Sequence, residues 1–399
     1  MSTAGAAGDI FRPPPSGQTQ DWLTRVEKLA PVIEENRERA ERERVTPRPV
    51  FEALRDARIP RMWVSRQFGG EQLSIETGSA VIQALARLDA SIAWQMGVQG
   101  AIGRLSDYLP ESTARTLFQD SDGLVVGGVN PSGHAEAVEG GYVLSGEWAF
   151  ASGSAHADWL VCAAHVTDGG TVRRTAAGPA LRMLFIPRSD AAIRDTWYTV
   201  GLRGTGSNHY HVDQVYVPEE FTVDGADMHR PPADRPARAY PIGYYDFGPF
   251  TSASTALGVA QDAVADFKAL AARKTATGAS SSLATSHTVQ EKLARAQAEV
   301  HIAETLLAHA AAQATAHGTD GGDALTALVR LTAATVAEKA VAAVDSLFTL
   351  AGATSVYATS RLERCFRDVH SATKHITLSP MHFETVGQYL LGGDLVMRR

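Results

Sequence analysis

Apolar residues in the C-terminal part of the chain recur at the spacing of a helix that is buried on one side. One such face is formed by Leu293, Ala296, Val300 and Leu307. None of the 18 prolines lies between Pro249 and Pro380, and a proline inside a helix costs roughly 3 kcal/mol. The pattern therefore predicts an antiparallel bundle of four helices, at about 250–272, 286–317, 324–350 and 360–378.

The pattern is also helical in the N-terminal part of the chain, which we place at 20–120. A charged amphipathic segment at 22–44 is followed by a short helix at 50–57 and by a long apolar face at 75–105. The preceding residues, 1–19, are rich in glycine, alanine and proline, which predicts a flexible leader.

Short runs of β-branched and aromatic residues replace the helical pattern in the middle of the chain. Such runs predict a central antiparallel β-barrel or sandwich at 121–225, and not a parallel nucleotide-binding sheet. A loop rich in proline and arginine at 226–245 would connect it to the C-terminal helical bundle at 246–399. The predicted fold class is thus α+β, with an N-terminal helical domain, a β-domain and a four-helix bundle.

The composition of the 399 residues is that of a soluble globular protein, with 44% hydrophobic and 20% charged residues. A net charge of −7 argues against a nucleic-acid partner and against an anionic membrane surface. Cys162 and Cys365 are the two cysteines, so we expect no disulfide framework and a reducing, cytoplasmic location. We find neither an apolar run of about 18 residues nor the pattern of a signal peptide.

The segment at 141–159 combines a strand, a tight glycine turn, a second strand and a loop of small hydroxyl residues. Glycine lets a flat ring approach the backbone of such a loop, while Ser152 or Ser154 hydrogen-bonds a ring nitrogen. An ordinary β-hairpin with a Ser/Gly turn and a core tryptophan, Trp148, is the other interpretation. The spacing alone leaves both interpretations open.

Glycines and histidines elsewhere in the sequence give no comparable signal. Gly201, Gly204 and Gly206 do not have the spacing of a dinucleotide-binding loop, and no βαβ pattern surrounds them. His370 and His375 are five residues apart, which does not favour a shared metal ion. We therefore expect no bound metal and no Rossmann-type site for NAD(P)H.

The segment at 141–159 resembles the flavin-contacting strand of the acyl-CoA dehydrogenase superfamily, and most closely that of its flavin-dependent two-component monooxygenases (group D). Further segments are similar to that branch: the loops at 127–133 and 196–208, the glycine turn at 347–357 and the C-terminal helix at 362–370. The resemblance covers roughly residues 20–395. It implies an acyl-CoA dehydrogenase-like fold.

The resemblance also implies a cofactor, reduced flavin (FADH2 or FMNH2), which is used with O2. Ser152 is expected to hold the proton on the flavin N5, with Asn130 as a second polar contact. The residues that the resemblance places around the cofactor are Ser152, Gly153, Trp148, Asn130, Trp197, Arg203, Thr205, Ser207 and Gly352. Since no site for NAD(P)H is predicted, a separate NAD(P)H:flavin reductase would supply the reduced flavin as a transient partner.

In the dehydrogenases of this superfamily, an arginine–aspartate pair leads into the segment that carries the catalytic glutamate. The pair is Arg367-Asp368 here, but Ile376 occupies the place of the glutamate, and His375 precedes it. The resemblance therefore implies an oxygenase in which His375 is the catalytic base, with His370 in reserve.

The implied reaction is hydroxylation of an aromatic, phenol- or indole-like substrate through a C4a-hydroperoxyflavin. The resemblance places Trp94 and His375 in the substrate pocket. It further implies a homotetramer or homodimer and a role in natural-product biosynthesis or aromatic catabolism. Two alternatives stay open: an N-oxygenase of an amine or amino sugar on the same fold, and an FAD-containing acyl-CoA dehydrogenase.

Overall fold

The computed structural model describes residues 15–176, 178–232, 240–275, 281–317 and 321–395. Most of the predicted leader, 1–14, and the central part of the predicted loop at 226–245 lie outside the described residues. Within the described part of the chain, no helix is long and apolar enough to cross a membrane.

The N-terminal part of the chain contains the α-helices α1 (Gly17–Glu27), α2 (Ala30–Glu43), α3 (Arg48–Asp56), α4 (Ile75–Leu88), α5 (Ala90–Gly103) and α6 (Glu111–Phe118). Helix α1 begins inside the predicted leader, because the Ser16 side chain caps it by accepting a hydrogen bond from Thr19 N at 3.2 Å. Asp89 separates α4 from α5, and its carboxylate accepts hydrogen bonds from the first backbone N–H groups of α5. This cap fixes the start of the helix that carries Trp94.

The middle of the chain forms the strands β1 (Leu124–Val138), β2 (Gly141–Ala151), β3 (Ala157–Asp168), β4 (Thr171–Val172), β5 (Arg174–Thr175), β6 (Gly178–Pro179), β7 (Leu181–Pro187), β8 (Ala192–Arg194), β9 (Asn208–Pro218) and β10 (Thr222–Asp224). The main sheet has the order β10-β7-β3-β1-β2-β9-β8, with β4 paired to β3 outside this path. Strands β5 and β6 pair with each other separately.

The sheet corrects the prediction of an antiparallel β-barrel. Its path ends at β10 on one side and at β8 on the other, so the described sheet is open and not closed. It is also mixed, because β1 pairs antiparallel with β2 but parallel with β3. Apolar runs of similar composition identify strands, but they do not specify which neighbour a strand takes or in which direction.

The C-terminal part contains α7 (Tyr244–Arg273), α8 (His287–His317), α9 (Gly322–Ala351), α10 (Arg361–Ala372) and α11 (Met381–Leu390). Helices α7 to α10 correspond to the four predicted helices, and α7 and α9 each pack against the other three of this group. Helix α10 ends at Ala372, earlier than predicted, and a 3-10 helix, Ile376–Leu378, follows it. The division into domains at 121, 226 and 246 stays a prediction.

Helices α5 and α10 bring the sheet and the helical layers together. Helix α5 packs against α7, against β1 and against the short 3-10 helix Arg203–Thr205, which precedes β9. Helix α10 packs against α5, α7 and α9. The segments that carry the predicted site residues therefore meet around these two helices.

Candidate active site

The loop at Ser152 and the loop at 196–208, the two flavin-side loops predicted from the sequence, are joined by a row of buried hydroxyl groups. Ser152 Oγ lies 2.7 Å from Ser207 Oγ, which lies 2.6 Å from Thr205 Oγ1. Thr205 Oγ1 donates to the backbone carbonyl of Leu202 at 2.8 Å. The backbone also joins the loops, since Gly153 N donates to Thr205 O at 2.8 Å. Four of the residues predicted to surround the cofactor are thus in one hydrogen-bonded group.

Local backbone conformation explains why the loop at Ser152 contains glycine. Gly153 has a φ of +84°, in the left-handed region that favours glycine. A Cβ atom at this position would also lie 2.8 Å from Leu124 Cδ1 and 3.1 Å from Gln95 Oε1. The loop therefore passes closer to α5 and β1 than any residue with a side chain would allow.

Phe150, an exposed aromatic residue next to the Ser152 loop, was not predicted as a candidate from the sequence. Its φ is +68°, and its side chain is 65% exposed although it stands two positions after the buried Trp148. The Phe150 ring meets Trp197 and His209 edge-on, with centroids 6.1 and 6.2 Å apart. The pairing of β2 with β9 shifts register between Trp148 and Ala151, and this irregularity turns Phe150 outwards.

Trp148, in contrast, lies in the interior of the sheet. Its ring stacks on Tyr210 at 5.5 Å, and its indole N–H donates to Ala163 O at 2.7 Å. The Trp148 side chain is 1% exposed. Trp148 supports the strand from inside, and its role as a cofactor contact stays a prediction. Phe150 is the aromatic residue of this strand that points outwards.

His375 and Trp94, the two residues predicted for the substrate pocket, are in contact. Their rings are 5.3 Å apart at an interplanar angle of 76°. His375 Nδ1 lies 2.8 Å from Thr377 Oγ1, and Thr377 Oγ1 donates to Ser252 Oγ on α7 at 2.9 Å. Burial lowers the pKa of His375 to about 4, so its imidazole is neutral at pH 7.

The tautomer of His375 follows from these contacts. Thr377 Oγ1 gives its one proton to Ser252, whose own hydroxyl donates to Gly248 O at 3.4 Å. Thr377 Oγ1 can then only accept a proton from Nδ1–H. A longer contact of 3.4 Å from Thr377 N to Nδ1 would favour the opposite tautomer, but the 2.8 Å contact is the stronger interaction. Nε2 is left with a lone pair, the form that acts as a base.

Gln95, next to Trp94 on α5, connects the predicted substrate pocket to the loops that carry the row of hydroxyl groups. Its side-chain Nε2 donates to Thr46 Oγ1 at 2.6 Å and lies 3.3 Å from Gly204 O. Its Oε1 lies against Gly153. One turn of α5 therefore carries both the residue that packs on His375 and the residue that contacts the two flavin-side loops.

Two other predicted residues lie on the protein surface. Asn130 is exposed on β1, where Nδ2 donates to Ser132 Oγ at 3.3 Å. Gly352 follows α9 with a φ of +60° and has open space around it. The roles of both residues as cofactor contacts stay predictions.

Arg203 and His370 are both engaged by carboxylates. Arg203 Nε lies 3.5 Å from Glu41 Oε1 on α2. His370 Nε2 lies 2.8 Å from Asp345 Oδ1 on α9, and its ring packs on Phe366 at 4.6 Å. His370 is therefore turned towards α9, whereas His375 is turned towards α5. Of the two predicted histidines, His375 is the one that contacts Trp94.

The surface around Phe150 carries exposed aromatic and aliphatic side chains. Three large side chains of the two loops are exposed: Phe150, Tyr198 and Val200 are 65%, 70% and 69% exposed. Arg44 covers one face of the Tyr198 ring at 3.8 Å. A planar, largely apolar ring with a polar edge could cover this patch and place that edge on Ser152 and the Gly153 backbone. Within the described residues, no group of three or more His, Cys, Asp or Glu side chains could hold a metal ion.

Comparison with known proteins defines the class first. A family model described as "Acyl-CoA dehydrogenase, C-terminal domain" matches residues 250–380. The structure of XiaF from Streptomyces sp., in complex with FADH2 and glycerol, has a TM-score of 0.87 to this chain at 24% sequence identity, covering 96% of this chain and 97% of that one. The fold is acyl-CoA dehydrogenase-like, as predicted.

Relatives in sequence then define the family. The FADH(2)-dependent resorcinol hydroxylase, oxygenase component, of Rhizobium sp. (strain MTP-10005) is 30% identical over 411 residues, covering 96% of this chain and 98% of the relative. The indole-3-acetate monooxygenase of Pseudomonas putida is 28% identical over 357 residues, covering 88% and 89%. The chain belongs to the oxygenase components of flavin-dependent monooxygenases. The predicted family and enzyme class are confirmed.

Proposed function

We propose that this monooxygenase hydroxylates an aromatic substrate of the phenol or indole type, using reduced flavin and O2. The observation that carries the proposal is the pairing of His375 with Trp94, in which a neutral imidazole with an open Nε2 packs edge-on against an indole ring. A phenol or indole that loses its proton to Nε2 becomes a stronger nucleophile. The names of the relatives, which refer to resorcinol and indole-3-acetate, support the same substrate class.

In this proposal the flavin ring covers the exposed face at Phe150 and Trp197, with its N5 edge towards Ser152 and Gly153. The flavin, when bound, supplies the activation of O2. Ser152 would hold the N5 proton, and Gly153 would let the ring approach the backbone. FADH2 and FMNH2 share the same ring system, so the placement applies to both.

His375 would act on the substrate from the opposite side of the pocket. Because burial lowers its pKa to about 4, the imidazole is neutral at pH 7 and carries a lone pair on one ring nitrogen. Thr377 and Ser252 hold the ring so that Nε2 remains the accepting atom. Trp94 packs against the ring and keeps water from that side, as an oxygenase pocket requires.

The reduced flavin would come from a separate NAD(P)H:flavin reductase, which the description of the relative as an oxygenase component supports. We also propose a cytoplasmic homotetramer or homodimer. Support for self-association comes from apolar side chains near the C-terminal end that are between 65% and 90% exposed: Val356, Tyr357, Leu390 and Leu391.

The acyl-CoA dehydrogenase alternative is not proposed. Ile376, at the place of the catalytic glutamate, is 44% exposed and has no acid–base group. Nothing in the pocket specifically favours the N-oxygenase alternative, which the following experiment distinguishes.

The test is turnover with photochemically reduced FAD or FMN under ¹⁸O2, with phenols, indoles, amino sugars and an acyl-CoA as candidate substrates. We expect mass spectrometry to find one ¹⁸O atom on a ring carbon of a phenol or indole. Oxygen on an amine nitrogen would replace the proposal by N-oxygenation. Reduction of added FAD by the acyl-CoA, without ¹⁸O in any product, would contradict it.

A further inference from the structure

The row of hydroxyl groups from Ser152 to Leu202 ends on an atom that can only accept a hydrogen bond. The three contacts in the row are Ser152 Oγ to Ser207 Oγ at 2.7 Å, Ser207 Oγ to Thr205 Oγ1 at 2.6 Å, and Thr205 Oγ1 to Leu202 O at 2.8 Å. Two oxygen atoms at such distances need a proton between them, because two lone pairs would otherwise repel. Three contacts therefore require three protons, and the row has three hydroxyl groups.

The carbonyl at the end fixes the direction of all three protons. Leu202 O has no proton, so Thr205 must donate to it. Thr205 then has no proton left for Ser207, so Ser207 donates to Thr205. By the same reasoning, Ser152 donates to Ser207. The outer hydroxyl of the row, at Ser152, is left with lone pairs alone.

The surroundings keep this direction in place. Ser152, Thr205 and Ser207 are at most 2% exposed, so the protein itself must satisfy each hydroxyl. The Leu202 carbonyl is held at the same time by the indole N–H of Trp197 at 3.1 Å. Its peptide is fixed further by the left-handed conformation of Leu202, with a φ of +51°. The acceptor at the end of the row is therefore part of a fixed backbone turn.

We propose that Thr205 and Ser207 make Ser152 a pure hydrogen-bond acceptor, and that the site thereby prefers reduced over oxidised flavin. This inference rests on the proposed placement of the flavin N5 at Ser152. Reduced flavin carries a proton on N5 and donates, whereas oxidised flavin has a bare N5 lone pair and can only accept. Ser152, if it can only accept, would form a hydrogen bond with the N5–H of reduced flavin. Its lone pairs would repel the N5 lone pair of oxidised flavin. Thr205 and Ser207 are positioning residues, because they act through Ser152.

The test measures flavin affinity in both oxidation states and does not need turnover. Dissociation constants for reduced FMN and FAD are measured by anaerobic ultrafiltration, and those for the oxidised forms in air. The quantity compared is the ratio of the oxidised to the reduced constant. Wild-type protein is expected to bind the reduced form more tightly.

Thr205→Val and Ser207→Ala each free the Ser152 proton to point at N5. We expect the ratio to fall about tenfold, the effect of one hydrogen bond, and Thr205→Ser, which keeps the hydroxyl, to restore it. Using two variants at different positions keeps the test valid if one of them does not fold, which circular dichroism would reveal. An unchanged ratio in the folded variants overturns the inference.

Ser152→Ala separates this inference from the proposed function. In one outcome, Ser152→Ala changes flavin affinity while the Thr205 and Ser207 variants keep the wild-type ratio. The flavin placement then stands, and the inferred role of Thr205 and Ser207 is wrong. If Ser152→Ala binds reduced and oxidised flavin as wild type does, the flavin does not lie at Ser152. Both the flavin placement and the inferred role of Thr205 and Ser207 are then wrong.

Discussion

The carboxylate of Asp368 on α10 accepts a hydrogen bond from the backbone N–H of Leu202 at 2.7 Å. The peptide on the other side of Leu202 ends the row of hydroxyl groups that leads to Ser152. Arg367 adds a second bond from the same helix, since its Nη1 donates to Val200 O at 2.7 Å. The Arg367-Asp368 pair, which the sequence offers as a mark of the family, thus holds a flavin-side loop against the C-terminal helices.

The pH dependence of stability should report on Asp368. Burial raises the pKa of Asp368 to about 7, above the value near 3.8 of an exposed aspartate. The folded protein therefore holds the Asp368 proton more tightly than the unfolded chain does. The stability that this proton contributes is fully present below pH 3.8 and is lost as the pH rises through 7. Asp368→Asn removes this titration. We expect the free energy of unfolding of the wild type, relative to the variant, to fall by on the order of 2–4 kcal/mol between pH 4 and 7.

Urea unfolding at a series of pH values provides the measurement for Asp368. A difference between wild type and Asp368→Asn that stays constant from pH 4 to 8 would contradict the assigned pKa. The Asp56→Asn variant is a suitable control, since Asp56 is exposed at the end of α3, where it pairs with Arg55.

Gly201 allows α10 to approach the loop. A Cβ atom at Gly201 would lie 2.2 Å from the backbone carbonyl oxygen of Arg367, too close for either backbone to adjust easily. Gly201→Ala should therefore lower the free energy of unfolding by about 1–3 kcal/mol. Gly387→Ala in α11 is the matched control, because its Cβ would meet nothing within 4 Å. Thermal unfolding in which both variants behave alike would contradict the role of Gly201.

Phe150 should contribute to flavin binding through its exposed ring. We expect Phe150→Ala to weaken binding of reduced FMN by about tenfold, with Phe150→Tyr close to wild type, because an aromatic contact contributes about 0.5–1.5 kcal/mol beyond its buried area. Tyr216→Ala is the control, since Tyr216 is an exposed aromatic residue on β9, 52% exposed. Equal affinity of wild type and Phe150→Ala in anaerobic titration would place the flavin elsewhere.

The sequence predicted the two flavin-side loops, but it could not predict how they meet. Ser152 and Ser207 are 55 positions apart, and their contact depends on the pairing of β2 with β9, in which Ala151 is opposite Asn208. The same pairing contains the irregularity that turns Phe150 outwards. Simple alternation along β2 would give Phe150 and Trp148 the same surroundings, so the sequence alone could not predict that only Phe150 points outwards.

The pocket shows a similar division between local and long-range information. His375 was predicted from its position after the Arg367-Asp368 pair. Its orientation was not, because it depends on Ser252, which is more than 100 positions earlier on α7. Contacts of this kind follow from helix packing, and no local pattern around His375 indicates them.

Thr377 should set the tautomer of His375. Thr377→Val removes the acceptor for Nδ1–H, and the proton can then move to Nε2. We expect the variant to lose product formation about tenfold or more in kcat, while Thr377→Ser restores it. The ¹⁵N chemical shifts of His375 would check the cause directly. A wild-type tautomer in Thr377→Val would show that Thr377 does not determine it.

We expect His375 to accept a proton from the aromatic substrate, and the ratio of hydroxylated product to H2O2 in single-turnover reactions with reduced flavin tests this role. We predict that His375→Ala consumes O2 as wild type does but releases it as H2O2, with almost no product. His309→Ala, an exposed histidine on α8, should keep the wild-type ratio. A wild-type ratio of product to H2O2 in His375→Ala would show that His375 does not accept this proton.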